Sequence, residues 1–117
     1  MGSITASEDK FAAFKSQPIE GRLFINGEFV KSKAGKTFDI TNPATEKHAA
    51  TVQEAGVEDV DAAVAAAKAA FPAWSELSAG ERGDYLNKLA DALEKRIPEL
   101  SYLDAISMGK PVHNDGE

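Results

Sequence analysis

The side chains of this chain that could do chemistry are two histidines, a scatter of acids and one Gly-Lys-Thr run. The 117 residues contain no cysteine, which removes a thiol nucleophile, a thiolate metal site and any disulfide from these residues. Ala34-Gly35-Lys36-Thr37 ends like a phosphate-binding loop. That motif requires a glycine five residues before Gly35, and Val30 stands there. Gly80 and Gly83 make no dinucleotide fingerprint, because no strand pattern runs into them. His48 and His113 lack His-x-x-x-His spacing, so no metal site is expected from them; His48 reads as a strand-edge residue and His113 as part of a tail. No Gly-x-Ser-x-Gly elbow activates a serine. Acids such as Asp39 or Asp104, with a nearby lysine or tyrosine, could do acid–base work, the chemistry of an isomerase or cyclase. Glu58, Asp59 and Asp61 read instead as acids in a first helical turn, complementing the positive end of the helix dipole. Trp74 reads as a packing anchor.

These groups must be positioned by local elements, and the pattern changes period once along the chain. Residues 1–21 read as a flexible leader, within which Phe11, Ala12 and Phe14 can form one anchoring turn. Leu23-Phe24-Ile25 and Glu28-Phe29-Val30 flank Asn26-Gly27, a pair that tolerates the positive φ of a type I′ hairpin turn. Ala34-Gly35 marks another turn, Thr37–Ile40 alternates as a strand that stops at Asn42-Pro43, and Ala49–Gln53 is a weaker strand. Val57, Val60, Val64, Ala67 and Phe71 then fall at helical spacing, in an alanine-rich helix able to pack closely and expected to end at Pro72. Ser78 and Glu81 form a capping box. Leu86, Leu89, Ala90, Leu93 and Ile97 share one face of a second helix, whose other side carries Asp84 with Lys88 and Asp91 with Lys95. Pro98 suits the first turn of a third helix, closed by Gly109 and Pro111. Leu100, Tyr102, Leu103 and Ile106 cover more than one face of it, so it needs cover on two sides.

The bulk properties narrow the partners. The length suits one small domain, in a size range that buries only about 60–70% of the unfolded surface. A net charge of -6, a pI near 4.9 and no basic cluster argue against nucleic acid or an anionic membrane. Lys31, Lys33 and Lys36 read as a solvated hairpin edge. The first residues match neither a secretory signal nor the myristoylation motif, which wants Ser or Thr where Ala6 stands. No stretch reaches the 18 or so apolar residues of a membrane span. A cytoplasmic protein is the expectation.

Order and spacing carry one further reading. Phe24-Ile25-Asn26-Gly27-Glu28-Phe29-Val30, then Phe38 to Asn42-Pro43-Ala44-Thr45, then Glu58-Asp59-Val60-Asp61-Ala62-Ala63-Val64 closely resembles the aldehyde dehydrogenase family. Ala70-Phe71 with Trp74, Glu81-Arg82, Leu89-Ala90 and Gly109-Lys110-Pro111 continue the likeness over residues 22–112, nearest to the broad-specificity NAD(P)-dependent branch. The resemblance implies an α/β enzyme with a Rossmann-type cofactor domain, a catalytic domain and an oligomerising β arm. The matching stretch would supply hairpins and helices on the outside of the cofactor domain. The family's nucleophile, general base, oxyanion donors and cofactor contacts all lie downstream of that stretch, so no catalytic, cofactor or metal residue is carried over. Many relatives hold a monovalent cation through a backbone carbonyl before the Asn-Pro pair and an aspartate two residues before the Gly of Gly-Lys-Pro. Ser107 occupies the latter position here, beside Met108, and Asp104-Ala105 replaces the family's Glu-Ser, departures that speak against the cation site.

The expectation from sequence is thus a partial α/β domain of N-terminal β-hairpins followed by three α-helices, at 22–112, between the 1–21 leader and a 113–117 tail. It reads as a truncated, non-catalytic member of a family whose full-length enzymes use NAD(P), with no cofactor of its own. Its expected partner is a full-length relative or a second copy, met through exposed apolar faces. The alternatives are a non-catalytic interaction module and a small pathway enzyme of isomerase or cyclase type.

Overall fold

The computed structural model describes residues 11–111. Residues 1–10, the first half of the expected leader, and the 113–117 tail with His113 lie outside the described residues. In chain order the elements are α1 (Ala12–Lys15), β1 (Leu23–Ile25), β2 (Glu28–Val30), β3 (Thr37–Thr41), β4 (His48–Gln53), α2 (Val57–Glu76), α3 (Ala79–Glu94) and α4 (Ile97–Met108). The partial α/β arrangement of hairpins followed by helices is the one the sequence implies.

The strands form two separate antiparallel ribbons. Asn26 and Gly27 turn the first with φ of 53° and 79°, the positive values a type I′ turn demands. The register sets Phe24 opposite Phe29, with ring centroids 5.1 Å apart, and the Arg22 guanidinium covers the Phe29 ring at 5.4 Å. In the second ribbon Asp39 faces Thr51 and Ile40 faces Ala50, before an irregularity at Ile40/Thr41. The Gly21 carbonyl accepts the Gln53 amide at 2.8 Å, which ties the chain entering β1 to β4. A Cβ on Gly21 would stand 2.4 Å from the Thr51 carbonyl oxygen, so only glycine fits this approach.

The anchoring turn read in Phe11, Ala12 and Phe14 forms as α1, and the Phe11 and Phe14 rings lie 5.9 and 6.3 Å from that of Tyr102 on α4. One expectation changes on the structure. Pro72 does not end α2, which continues through it to Glu76. Proline removes only its own N–H donor, and the helix-forming residues on both sides carry the turn past that gap. Trp74 therefore sits in the last turn of α2, 5.6 Å from the Tyr85 ring of α3. The helix ends at Leu77, whose ψ of 145° is extended.

The capping box forms as read: Ser78 Oγ accepts the Glu81 amide at 3.2 Å, and the Glu81 carboxylate accepts the Ser78 amide at 2.8 Å. The Arg82 guanidinium donates to the Leu77 carbonyl across the same corner. Lys88 places its ammonium over the Tyr85 ring at 5.5 Å. Pro98 stands in the first turn of α4, and Gly109 closes it in the left-handed region at φ 76°.

What holds these elements is unusual in kind. Among the described residues no apolar side chain is fully buried, and the buried side chains are the polar Ser32 and Asp59. The Cα radius of gyration is 19.0 Å, where a compact chain of this length has about 13 Å. The extents of 67 × 40 × 19 Å describe a slab whose thinnest dimension admits little more than a helix against a ribbon.

Candidate functional site

Two polar clusters, two clefts and a set of apolar faces are the features that could carry function. Asp59 occupies the third position of α2, where a carboxylate can reach back to the amide that precedes the helix. Its Oδ2 accepts the Gly56 amide at 2.9 Å and the Ser32 hydroxyl at 3.3 Å, and its Oδ1 accepts the Lys33 amide at 3.1 Å. The Ser32 amide is in turn donated to Gln53 Oε1 of β4 at 2.8 Å. These donors, the Gly56 amide first and then the Lys33 amide, hold the Asp59 carboxyl below its ordinary range. Expected only as a dipole-complementing acid, Asp59 is the joint between the β2–β3 loop, β4 and α2. Three donors hold the Asp59 carboxylate, which places it in a structural role.

The second cluster lies on the open face of the β3–β4 ribbon. Thr51 Oγ1 donates to Asp39 Oδ1 at 2.6 Å. His48 Nε2 stands 2.9 Å from Thr51 Oγ1 and 3.3 Å from Asp39 Oδ1. The Thr51 hydroxyl, and secondarily His48, hold the Asp39 carboxyl below its ordinary range. Asp39, named from sequence for acid–base work with a lysine or tyrosine, thus meets a histidine and a threonine. The other named acid, Asp104, has Lys110 at 3.9 Å across α4's end, both more than half exposed. Neither acid stands in an enclosed pocket with a site for a reacting carbon, so the geometry does not favour an isomerase or cyclase.

A cleft of about 340 Å³ runs between residues 14–20 and α4, floored by Phe14 and Tyr102 and rimmed by Glu20, Arg96 and Glu99. Its rim charges already satisfy each other. Arg22 holds Glu20 through 2.7 and 2.8 Å bonds and draws its carboxyl pKa down to about 2, and Arg96 binds Glu99 at 2.8 and 2.9 Å. A second hollow of similar volume lies between the Asn26-Gly27 hairpin and the alanine face of α2 at Ala63, Ala66, Ala67 and Ala70. The alanine face of α2 thus lies beside β1 and its turn, with this hollow between them.

The corner where the resemblance would place a cation brings the end of β3 close to the end of α4: a Cβ on Gly109 would stand 3.0 Å from the Pro43 ring. There Ser107 Oγ donates to the Asp104 carbonyl at 3.4 Å, so its hydroxyl serves its own helix. Among the described residues no three histidine or acidic side chains converge. Gly80 and Gly83 lie inside α3, with no strand–turn–helix crossing at which a pyrophosphate could rest.

The largest feature is apolar. Phe71 is 64% exposed, Val64 60% and Leu86 61%, and Leu89, Leu93 and Ile97 stand open beside Leu86. These are the residues whose periodicity marks them as interior faces. Among the described residues the leucine stripe of α3 is left exposed. On α4, Tyr102 receives Phe11 and Phe14 and the helix touches β3, while Ile97, Leu100 and Met108 stay exposed. No helix among the described residues is long and apolar enough to cross a membrane.

The profile described as the aldehyde dehydrogenase family matches residues 29–116. An aldehyde dehydrogenase of Alternaria alternata is 51% identical over 111 residues, covering 94% of this chain and 22% of that protein. One from Emericella nidulans is 49% identical over 89 residues, covering 75% of this chain and 18% of that protein. Among solved structures, an NAD+ complex of aldehyde dehydrogenase from Bacillus cereus superposes with a TM-score of 0.75 at 46% identity, over 91% of this chain and 22% of that one. The chain thus spans about one fifth of the length of the relatives it matches.

Proposed function

The chain belongs to the aldehyde dehydrogenase family, and on that premise we propose that it forms the N-terminal part of an NAD(P)-dependent enzyme oxidising aldehydes to carboxylic acids. Within that enzyme this stretch supplies packing surface and not reacting groups. Aldehyde oxidation through an acyl-enzyme needs a thiolate to attack the carbonyl carbon, amide donors for the oxyanion and a bound dinucleotide. These 117 residues hold no cysteine. The reacting groups therefore come from outside this stretch.

One observation carries the reading: helix faces that are apolar by sequence are exposed in the structure, with Phe71, Leu86 and Leu89 each more than half open. Faces of that kind are stable only when covered. An α/β remainder bearing the cofactor and catalytic domains is the cover that family membership supports.

The test is complementation. The chain alone, given NAD+ and a short aldehyde, is expected to produce no NADH. Mixed with a relative's remaining region, prepared without its own matching N-terminal stretch, it is expected to restore aldehyde-dependent NADH formation. Turnover by the chain alone overturns the proposal, as does a remainder that is equally active with and without it.

A further inference from the structure

The pair that turns the β1–β2 ribbon, Asn26-Gly27, carries a chemistry besides its turn geometry. A backbone nitrogen that follows an asparagine is a nucleophile within reach of that asparagine's own side-chain carbonyl carbon. We propose that Asn26 is a site of spontaneous deamidation, reached each time the short β1–β2 ribbon opens.

Gly27 supplies an unobstructed nucleophile. It has no side chain beside its nitrogen, and a Cβ there would meet nothing within 4 Å. Among the described residues nothing accepts a hydrogen bond from the Gly27 amide, which lies between the paired ends Ile25 and Glu28. Both turn residues are exposed, so water reaches them. The Gly27 nitrogen attacks Asn26 Cγ: an N–Cγ bond forms, the Cγ–Nδ2 bond breaks, and ammonia leaves with the Gly27 amide proton. Water then opens the cyclic imide, at Cγ to give aspartate or at the backbone carbonyl to give isoaspartate. Nothing is oxidised or reduced. Asn42 lacks this route, because Pro43 after it has no N–H, and in Asn87 the following amide is tied into α3.

The closed turn restrains the reaction. Asn26 sits at φ 53°, in the left-handed region, where ψ is about +30 to +60°. Closing a five-membered ring through the Gly27 nitrogen requires ψ of the opposite sign, so the closed turn holds that nitrogen off Cγ. The ribbon that keeps it there is weak. Its strands are Leu23–Ile25 and Glu28–Val30 with no third strand beside them, and an isolated two-stranded hairpin is marginal in water. Its aromatic pair, Phe24 with Phe29, is 64% and 51% exposed. Local opening is therefore frequent. The isoaspartate product does not close again in the old register, because it adds a methylene to the backbone of a two-residue turn. Either product places a negative charge in the hollow beside the alanine face of α2. The site depends on the ribbon and not on the dehydrogenase reading.

The experiment is a time course of the full chain in neutral heavy-oxygen water, followed by tryptic mapping in ordinary water with fragmentation that separates aspartate from isoaspartate. Trypsin cuts after Arg22 and Lys31, so Asn26 lies on a peptide apart from Asn42 and Asn87. Asn26 is expected to convert to a labelled mixture of both products while Asn42 and Asn87 stay intact. Its rate is expected to lie several-fold below that of the free peptide of residues 23–31, which has no ribbon to open. Phe29→Ala, which removes the ring opposite Phe24, is expected to speed conversion by about 2- to 10-fold. Conversion of Asn26 no faster than that of Asn87, a rate in the chain equal to that of the free peptide, or a rate unmoved by Phe29→Ala overturns the proposal.

Discussion

Asp59 and Ser32, 27 residues apart in the chain, are the buried side chains among the described residues, and each is buried against the other. A joint made of one carboxylate and three donors stands where a small domain would normally have its apolar centre. The stability of this chain is therefore local, and the tests that follow read local protection and not a single unfolding transition.

Asp59→Ala removes the acceptor of the Gly56 and Lys33 amides together. Both amides are expected to lose hydrogen-exchange protection by about tenfold or more, while the Ala50–Ile40 pairing of the β3–β4 ribbon keeps its own. The same carboxylate gives a pH dependence of definite sign. Its folded pKa lies below its ordinary value, so the unfolded chain binds the proton more readily. The contribution is complete above the ordinary carboxylate pKa of about 4 and is lost as pH falls through the depressed value. Protection factors of Lys33 and Gly56, corrected for intrinsic exchange, are expected to fall together in acid. In Asp59→Asn that acid limb is expected to disappear.

Gly21→Ala drives a methyl group to within 2.4 Å of the Thr51 carbonyl oxygen, and backbone cannot rotate away as a side chain would. Overpacking of this kind costs ~1–3 kcal/mol. The Gln53 amide, which donates to the Gly21 carbonyl, is expected to exchange at least several-fold faster, and an unchanged rate would refute the close approach.

Tyr102→Ala removes the ring on which Phe11 and Phe14 both stack, two contacts of ~0.5–1.5 kcal/mol each. The turn α1 is expected to detach, and trypsin cleavage after Lys15 to accelerate about tenfold. Tyr102→Phe, which keeps the ring, is expected to cleave at the wild-type rate.

What could be read from the sequence and what could not divides by chain separation. The Asn26-Gly27 turn, the Ser78–Glu81 cap and the Gly109 stop are local chemistry, and each stands where its residue types place it. Pro72 was misleading because a missing donor is a weaker signal than the helix-forming residues around it. Asp59 could be assigned to a first helical turn, but its Ser32 and Lys33 partners lie in another element, and no periodicity points to them. The same holds for Asp39, His48 and Thr51, which meet only because the strands pair in one register. The leucines of α3 were legible as an interior face, and the described residues hold nothing against that face.

The central claim is that these faces are interior surfaces of a larger α/β assembly. Calorimetry with sedimentation velocity on the purified chain tests it most directly. Association or strong binding of a hydrophobic dye is expected, with no sharp heat-absorption peak. A dilute, dye-free monomer unfolding in one cooperative transition, at the roughly 80 kcal/mol typical of a compact domain this long, would contradict it.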